Sequence, residues 1–379
     1  MEIYLDNSAT TKPYPGVTEK VAAVMDGVYG NPSSLHRIGI AAEKELRQAR
    51  ERLAYALKAN VGEIYFTSGG TESDNLAIAG VCRASRGKHI ISSPIEHPAV
   101  MNTLAQLESE GCTVEYLPVD ENGVVDLATL EEMVRPDTAL VTVMLVNNEI
   151  GTVQPIEKIA KLIKRKNPNT CLHTDAVQGF GKVPCHAGLG ADLISVSSHK
   201  IHGPKGVGAL YVRRGVRLSP ILYGGGQQNG IRSGTENVPG YAGFGLAAKL
   251  CVGNMEASCR TMTHLREKLC KAVTETVERV QVNTPTVCAP HILNLSFDGV
   301  RSEVLLHSLE AEGIYVSSGS ACSSHKKAPS YVLTEIGADK ARIDGSIRLS
   351  LSEFTTEEEI NQTAAALGRI VPQLRRLKL

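Results

Sequence analysis

The sequence has no excess charge of either sign and no long apolar run. Its 40 basic residues balance its 40 acidic residues, so no overall field attracts nucleic acid or an anionic membrane as the main partner. No stretch approaches the ~20 apolar residues that cross a bilayer. The N-terminal MEIYLDNSATT also lacks the basic and apolar regions of a secretory signal. We therefore expect a cytoplasmic protein.

Motifs for metal ions, disulfides and nucleotides are missing as well. The nine cysteines are scattered, with no C-x-x-C pair and no Cys/His cluster at zinc-finger spacing, which fits a reducing compartment. His199 and His202 are close in sequence, but two histidines without a further ligand are weak evidence for zinc. Neither a P-loop motif nor a G-x-G-x-x-G after a strand occurs. We expect no metal site, no disulfide framework and no nucleotide-binding motif.

Short apolar runs alternate with amphipathic stretches between about residues 60 and 212. Runs rich in Val, Ile and Leu, separated by helical patterns, are typical of an α/β domain whose mostly parallel sheet is covered on both faces. The predicted strands are EIYF, HIISS, TVEYLPV, ALVTVMLV, TCLHTDA, DLISVSS and GALYVR, and the predicted helices are 75–86, 98–110, 127–134 and 156–166.

The pattern differs on either side of this block. Residues 33–58 have the periodicity of a long amphipathic helix, with Ser33 or Ser34 as a suitable N-cap. After the block, a Gly-rich stretch leads into a long helical pattern from about 238 to 280. The strands HILNLSF, IYVSS and SIRLSL then alternate with helices near 302–312 and from about 356. We predict a second, smaller α+β domain, with the boundary near residue 255.

Polar residues stand at the ends of the predicted strands, where open α/β sheets bind their ligands. Gly69–Thr71 lies between a strand and a helix, which suits an anion but is also common in ordinary capped turns. Asp175 ends another strand and Gln178 follows it, although an aspartate there is more often a helix cap. Asn148 follows a third strand. Taken one at a time, these residues leave both interpretations open.

Lys200 and His97 complete the set. Lys200 follows a hydrophobic strand, where desolvation can turn a lysine into the amine nucleophile that Schiff-base chemistry requires. His97 precedes a helix that begins at Pro98, where a histidine can stack on a flat ligand or only cap the helix. An anion-binding turn, an acid, an amide, a histidine and a lysine match pyridoxal 5′-phosphate (PLP) in its phosphate, ring nitrogen, phenolic oxygen, ring face and aldehyde.

The segment SGSACSSH, residues 318–325, surrounds Cys322 with small residues. This setting favours an exposed and reactive thiol, although a cysteine in a Ser/Gly-rich loop is more often incidental. The local sequence alone does not decide between a nucleophile and an incidental cysteine.

Ten short motifs spread over the chain match those of one known family. They are YLDNSATT, GNPSSLHRIG, FTSGGTESDNLAI, EHPAV, NNEIGTVQPI, HTDAVQGFGKVP, SSHKIHGPKGVGALYVR, RSGTENV, SSGSACSS and SIRLSL. With them the sequence resembles the cysteine desulfurases, the NifS-like group I branch of the class V aminotransferases. The resemblance implies fold type I of the PLP-dependent transferases, similar to aspartate aminotransferase, with a mostly parallel seven-stranded sheet. It also implies a large PLP-binding domain of residues 15–255 and a small domain of residues 1–14 and 256–379 that carries the cysteine segment.

The resemblance further implies a role for each candidate residue. The implied roles are the Schiff base with PLP for Lys200, the ring face for His97, the ring nitrogen for Asp175, the phenolic oxygen for Gln178, the phosphate for Gly70, Thr71, Ser197 and His199, the neighbouring subunit's phosphate for Thr235, the substrate carboxylate for Asn148 and Arg348, and the sulfur nucleophile for Cys322. The implied assembly is a homodimer with shared active sites. Gly70 departs from the family, in which Ala is usual at this position.

The implied activity is removal of sulfur from L-cysteine. It would give L-alanine and a persulfide on Cys322, which is passed to an acceptor such as an iron–sulfur scaffold or a tRNA-thiolation protein. Selenocysteine lyase, a related aminotransferase and an inactive assembly scaffold are the alternatives. Because the cysteine would reach both the cofactor and an acceptor, we expect residues 319–330 to be mobile.

Overall fold

The structure, a computed structural model, describes residues 2–318 and 329–377. The strands are β1 (Ile3–Tyr4), β2 (Ile64–Thr67), β3 (His89–Ser92), β4 (Thr113–Tyr116), β5 (Thr138–Thr142), β6 (Cys171–Asp175), β7 (Leu193–Ser197), β8 (Gly208–Val212), β9 (Val280–Val282), β10 (Ile292–Phe297), β11 (Ile314–Tyr315), β12 (Ser317–Ser318) and β13 (Ser346–Ser350). The helices are α1 (Pro15–Gly27), α2 (Arg37–Ala56), α3 (Gly70–Ala84), α4 (Pro98–Ser109), α5 (Leu127–Met133), α6 (Ile156–Lys166), α7 (Val238–Gly253), α8 (Met255–Thr276), α9 (Ser302–Glu310), α10 (Tyr331–Glu335), α11 (Lys340–Asp344) and α12 (Glu357–Leu377).

The largest sheet has seven strands in the order β2-β8-β7-β6-β5-β3-β4. Its neighbouring strands from β7 to β4 are parallel, and β8 is antiparallel to both β7 and β2. Parallel strands require crossover connections. Helices α4, α5 and α6 provide those between β3, β4, β5 and β6, whereas β6 and β7 are joined by residues 176–192, which contain only a short 3-10 turn. The predicted mostly parallel seven-stranded α/β sheet is confirmed.

Helices cover both faces of this sheet. Successive strand residues point to opposite faces, and the two faces accordingly contribute to different hydrophobic clusters. On one side α3 and α4 pack against Leu140, Leu193 and Leu210, and on the other α2, α6 and α7 pack against Val141, Ile194 and Ala209. All six of these strand residues are buried. The continuous apolar runs of the sequence follow from this burial on two sides.

A second core surrounds a four-stranded antiparallel sheet of order β12-β13-β10-β9. Apolar residues of α8 and α12 pack on this sheet, around Leu295, Phe297 and Leu349. The first strand, β1, pairs in parallel with β11 and contributes Ile3 to the same core. This arrangement matches the expected smaller α+β part, while the exact domain boundaries stay a prediction.

Two local expectations were wrong. Helix α2 begins at Arg37, and its N-cap is His36, whose Nδ1 accepts from the Gly39 N–H at 3.3 Å. Ser34 instead belongs to the preceding turn, where its N–H donates to the Asn31 carbonyl. The predicted long helix from 238 to 280 is two helices, α7 and α8, which are separated at Asn254.

No helix in the described part of the chain is long and apolar enough to cross a membrane.

Candidate active site

The residues predicted to bind the cofactor lie at one edge of the seven-stranded sheet. Because β3, β5, β6 and β7 are parallel, their carboxyl ends share that edge. Asp175 ends β6, Ser197 ends β7 and His97 precedes α4. A cavity of about 400 Å³ at this edge is lined by residues that include Thr10, Gly69, Gly70, Thr71, Ser197 and His199. A second cavity of about 470 Å³ shares Thr71 and extends to His97.

Lys200 lies in a single turn of 3-10 helix, residues 198–200, directly after β7. Its Nζ donates to the carbonyl oxygens of Ser8 and Ala9, the latter at 2.9 Å. Gln178 Nε2 donates to the same Ser8 carbonyl at 2.8 Å. The lysine predicted to bind the cofactor's aldehyde and the amide predicted to bind its phenolic oxygen therefore meet at one backbone oxygen.

Residues 8–11 form one side of this site, although sequence reasoning assigned them no role. Thr11 donates its hydroxyl to the His199 carbonyl at 2.9 Å, and Thr10 Oγ1 lies 3.1 Å from His199 Nδ1. Burial, followed by the charge of Lys200, lowers the pKa of His199 to about 4, so its imidazole is neutral near pH 7. The available signal was the run of small residues, NSATT, which begins three residues after the first strand ends.

Asp175 is buried and lies near two other buried carboxyl groups, those of Asp74 and Glu96. Its Oδ1 accepts from the Val177 N–H at 2.8 Å, and burial raises its pKa, opposed by the nearby His97 and Lys200. Burial also raises the pKa of Asp74 and that of Glu96, the latter to about 8, and the charge of Asp175 adds to both shifts. A cation beside Asp175 would stabilise its ionised form. A protonated ring nitrogen therefore fits this position.

His97 caps helix α4, which is the simpler of the two roles that its sequence position indicates. Its Nδ1 accepts from the Ala99 N–H at 3.1 Å, which caps the first turn of α4. Burial lowers the pKa of His97, Asp175 opposes this effect and Lys200 adds to it. The imidazole also lines the larger cavity, so capping leaves its stacking on a cofactor ring as a prediction.

The part of the site formed by the first turn of α3 and by Ser197 suits a phosphate. The first turn of α3 presents backbone N–H groups without intrahelical acceptors. Ser197 Oγ is buried and has no hydrogen-bond partner within residues 2–318 and 329–377. A Cβ added at Gly70 would lie only 2.7 Å from Val177 Cγ2, so the backbone of α3 approaches β6 and its following turn closely here. An anion would satisfy both the helix N-terminus and the buried hydroxyl.

Arg348 and Asn148 are in direct contact. Arg348 Nη1 donates to the Asn148 carbonyl at 2.9 Å, and Nη2 donates to Asp6 Oδ1 at 2.9 Å. Arg348 Nε and Asn148 Oδ1 are buried without a hydrogen-bond partner in the described part of the chain. Because an unpaired buried polar atom is costly, this pair suits a polar ligand such as an amino-acid carboxylate.

Cys322 lies outside the described residues, as do residues 319–328 of the segment predicted to be mobile. The described residues on both sides are well placed beside the site. Ser317 pairs with Arg348 in the small sheet. On the other side, Ser330 donates to Glu149 Oε2 at 2.5 Å and Tyr331 donates to the Glu96 carbonyl at 2.5 Å. The described residues on the two sides of Cys322 therefore lie beside Arg348 and beside the neighbours of Asn148 and His97.

Thr235 is exposed in the loop that precedes α7. This loop is attached to the first turn of α3, because Arg232 Nε donates to Glu72 Oε1 at 2.7 Å. The contact of Thr235 with a neighbouring subunit's phosphate stays a prediction.

Comparison with known proteins identifies the family. Residues 3–363 match the family model described as aminotransferase class-V. The chain is 45% identical over 378 residues to the cysteine desulfurase IscS of Methanosarcina thermophila, covering 99% of this chain and 93% of that protein. A solved NifS-like protein is similar to the chain with a TM-score of 0.93 at 40% identity, covering 99% of this chain and 100% of that one. The structure of SspA in complex with cysteine is similar with a TM-score of 0.82 at 35% identity, covering 94% and 100%. The chain belongs to the class-V aminotransferase family, among the NifS-like and IscS-like cysteine desulfurases.

Proposed function

We propose that the protein is a PLP-dependent cysteine desulfurase that removes sulfur from L-cysteine, releases L-alanine and holds the sulfur as a persulfide on Cys322. One observation supports this most directly. Lys200 and Gln178 converge on the Ser8 carbonyl at the sheet edge that also holds Asp175. Its IscS and NifS-like relatives belong to a PLP-dependent family, and SspA, a related protein, binds cysteine.

The residues fit the cofactor as follows. Lys200 would bind its aldehyde, Asp175 its ring nitrogen and Gln178 its phenolic oxygen, while His97 would cover the ring. Its phosphate would be bound by Gly70, Thr71, Ser197 and His199, and by the partner subunit's Thr235 in a homodimer. When bound, PLP supplies an electron sink for the bond electrons released at the substrate's Cα.

The chain's own residues would then act on L-cysteine. Arg348 would bind the substrate carboxylate with its planar guanidinium, and Asn148 would orient it. The Lys200 amine would act as the base at Cα. Asp175 would keep the ring nitrogen protonated, because a buried carboxylate is stabilised by an adjacent cation.

Sulfur transfer would need the Cys322 thiolate. Its sulfur attacks the substrate sulfur, the C–S bond of the substrate breaks and an S–S bond forms. The thiol proton ends on the product, so cysteine and one thiol yield alanine and one persulfide. Only a few per cent of an ordinary thiol, with a pKa of ~8.5, is ionised at neutral pH. His97, whose imidazole is neutral because burial lowers its pKa, could accept that proton.

The test is a purified protein assayed with L-cysteine and a reductant. We expect a visible PLP absorption band and equal amounts of alanine and sulfide. Cys322→Ser should keep the band and lose sulfide release, whereas Cys270→Ser, on helix α8 beside the core of the small sheet, should keep both. Lys200→Ala should lose the band of the lysine-bound cofactor.

Other outcomes would contradict the proposal in identifiable ways. Full activity of Cys322→Ser would remove Cys322 from the mechanism. A keto acid in place of alanine would indicate an aminotransferase, and strong preference for selenocysteine would indicate a selenocysteine lyase. A colourless protein would favour an assembly scaffold.

The proposed acceptor is a cytoplasmic sulfur carrier, such as an iron–sulfur scaffold or a tRNA-thiolation protein. Capture with the persulfide form of Cys322, compared with Cys322→Ser, would identify which of them binds.

A further inference from the structure

His291 is a fully buried histidine in contact with the side-chain amide of Gln178. It immediately precedes β10 of the small sheet, and its Nε2 lies 3.3 Å from Gln178 Oε1. Gln178 follows β6 of the large sheet. Resting on the proposed function, we propose that His291 is a positioning residue that orients the Gln178 amide so that its nitrogen donates to the phenolic oxygen of PLP.

The hydrogen-bond partners determine the orientation of the Gln178 amide and which nitrogen of His291 carries the hydrogen. Gln178 Nε2 donates to the Ser8 carbonyl at 2.8 Å, and a carbonyl can only accept. The amide nitrogen therefore faces Ser8, and Oε1 faces His291. Because Oε1 also can only accept, His291 Nε2 must carry a hydrogen. The amide nitrogen has a second hydrogen, which remains for the cofactor.

The remaining nitrogen of His291 supports the same tautomer. His291 Nδ1 is buried and has no hydrogen-bond partner among the described residues. With the hydrogen on Nε2, only an acceptor lone pair is left unpaired at Nδ1. The opposite tautomer would leave a buried N–H unpaired and would place two acceptors face to face, which costs more.

Burial, together with nearby positive charges, keeps His291 neutral. Burial lowers its pKa well below the usual range, and four cations lower it further. These charged neighbours are Lys182, Arg348, Lys200 and Arg266. A neutral imidazole with one N–H is a fixed single donor toward Gln178, whatever the pH of a normal assay.

The consequence concerns the basicity of the cofactor. With PLP bound to Lys200, its phenolic oxygen would be anionic, and a hydrogen-bond donor at that oxygen would stabilise the anion and lower the pKa of the Lys200–cofactor linkage. Without His291, Oε1 of Gln178 loses its partner and the amide can turn away. The visible band of the holoenzyme reports this pKa directly.

The experiment is a pH titration of that band in the holoenzyme. We expect His291→Ala to raise the midpoint by about one pH unit, the tenfold change that the loss of one hydrogen bond to a charged group produces. His291→Gln, which places an N–H donor near the same point, should restore most of the wild-type midpoint. His307→Ala, at an exposed position on α9, is the matched control and should not shift it.

The variant Gln178→Ala tests the role of the amide separately from the role of His291. It should shift the midpoint as much as His291→Ala, and the double variant should shift it no further, because the residues act as one unit. A shift with Gln178→Ala but none with His291→Ala would overturn the role of His291 alone. No visible band in the wild type would overturn the proposed function instead.

A measurement on the wild-type protein tests the proposal even if the variants do not fold. Side-chain ¹⁵N NMR should show His291 neutral and protonated at Nε2 between pH 6 and 8. Protonation at Nδ1 would overturn the inference.

Discussion

Ser330 donates its hydroxyl hydrogen to Oε2 of the buried Glu149 at 2.5 Å. The same hydroxyl oxygen caps α10 by accepting from the Leu333 N–H at 3.1 Å. Ser330 follows the segment that carries Cys322, and Glu149 is adjacent to Asn148. This hydrogen bond therefore attaches one end of the cysteine segment to the proposed substrate site.

Loss of this attachment should slow sulfur transfer without weakening cofactor binding. We expect Ser330→Ala to lower kcat for alanine formation by about threefold to tenfold, the effect of one lost hydrogen bond, with the KM for cysteine and the visible band nearly unchanged. Asp339→Ala removes another N-cap, that of α11, and controls for the loss of a helix cap. Equal rates for Ser330→Ala and the wild type would show that this attachment has no role in transfer.

Arg348→Lys tests the proposed carboxylate site. A lysine cannot replace the planar fork that contacts Asn148 and Asp6, so we expect the KM for cysteine to rise by about 10-fold to 100-fold with PLP content retained. Steady-state kinetics and the visible spectrum measure both. Arg369→Lys, at an exposed ion pair with Glu312, should behave as the wild type, and an unchanged KM for Arg348→Lys would argue against the assignment.

Gly70→Ala tests the close approach at the phosphate turn. Its new Cβ would lie 2.7 Å from Val177 Cγ2, and overpacking of this kind costs about 1–3 kcal/mol. We expect a lower Tm, and recovery of most of the loss in Gly70→Ala combined with Val177→Ala. Thermal unfolding of the wild type, both single variants and the double variant decides, and additive losses in the double variant would show that the two side chains do not conflict.

Glu149 should make stability depend on pH. Burial raises its pKa from 4.5 to about 7, although Ser330 and Arg348 oppose the shift. The folded state therefore binds the proton more tightly than the unfolded state, so the stabilisation is complete below pH 4.5 and is lost as the pH rises through 7. Relative to Glu149→Gln, the wild type should lose about 2 kcal/mol between pH 5 and 8.

Urea unfolding of both proteins across that range measures the difference. Glu121→Gln, at an exposed turn, is the control and should follow the wild type. A constant gap between Glu149→Gln and the wild type would show that Glu149 titrates normally.

Much of the candidate site could be predicted because its residue types are tied to local patterns. Asp175 and Lys200 follow apolar runs that are long enough to be buried strands, and parallel strands bring their ends to one edge. The turn at Gly69 and Gly70 was visible for the same reason. The N-cap of α2 was not, because His36 and Ser34 compete within one turn and the path of the backbone decides between them.

Other parts could not be predicted. The Ser8 carbonyl that Lys200 and Gln178 share is a backbone group, and residue type does not show where a backbone oxygen will lie. The contact of His291 with Gln178 joins positions 113 residues apart. The hydrogen bond of Ser330 to Glu149 joins positions 181 residues apart.

The sequence by itself determined the α/β class, the buried strands and the polar residues that end them, because the periodicity of apolar residues and the conformational freedom of glycine act locally. Only the tertiary structure decided how the N-terminal segment, the large sheet and the small sheet meet. That meeting brings Ser8 to Lys200, His291 to Gln178 and Ser330 to Glu149. Each of these contacts satisfies a buried polar group, and whether such a group is satisfied depends on packing between distant segments rather than on its neighbours in the chain.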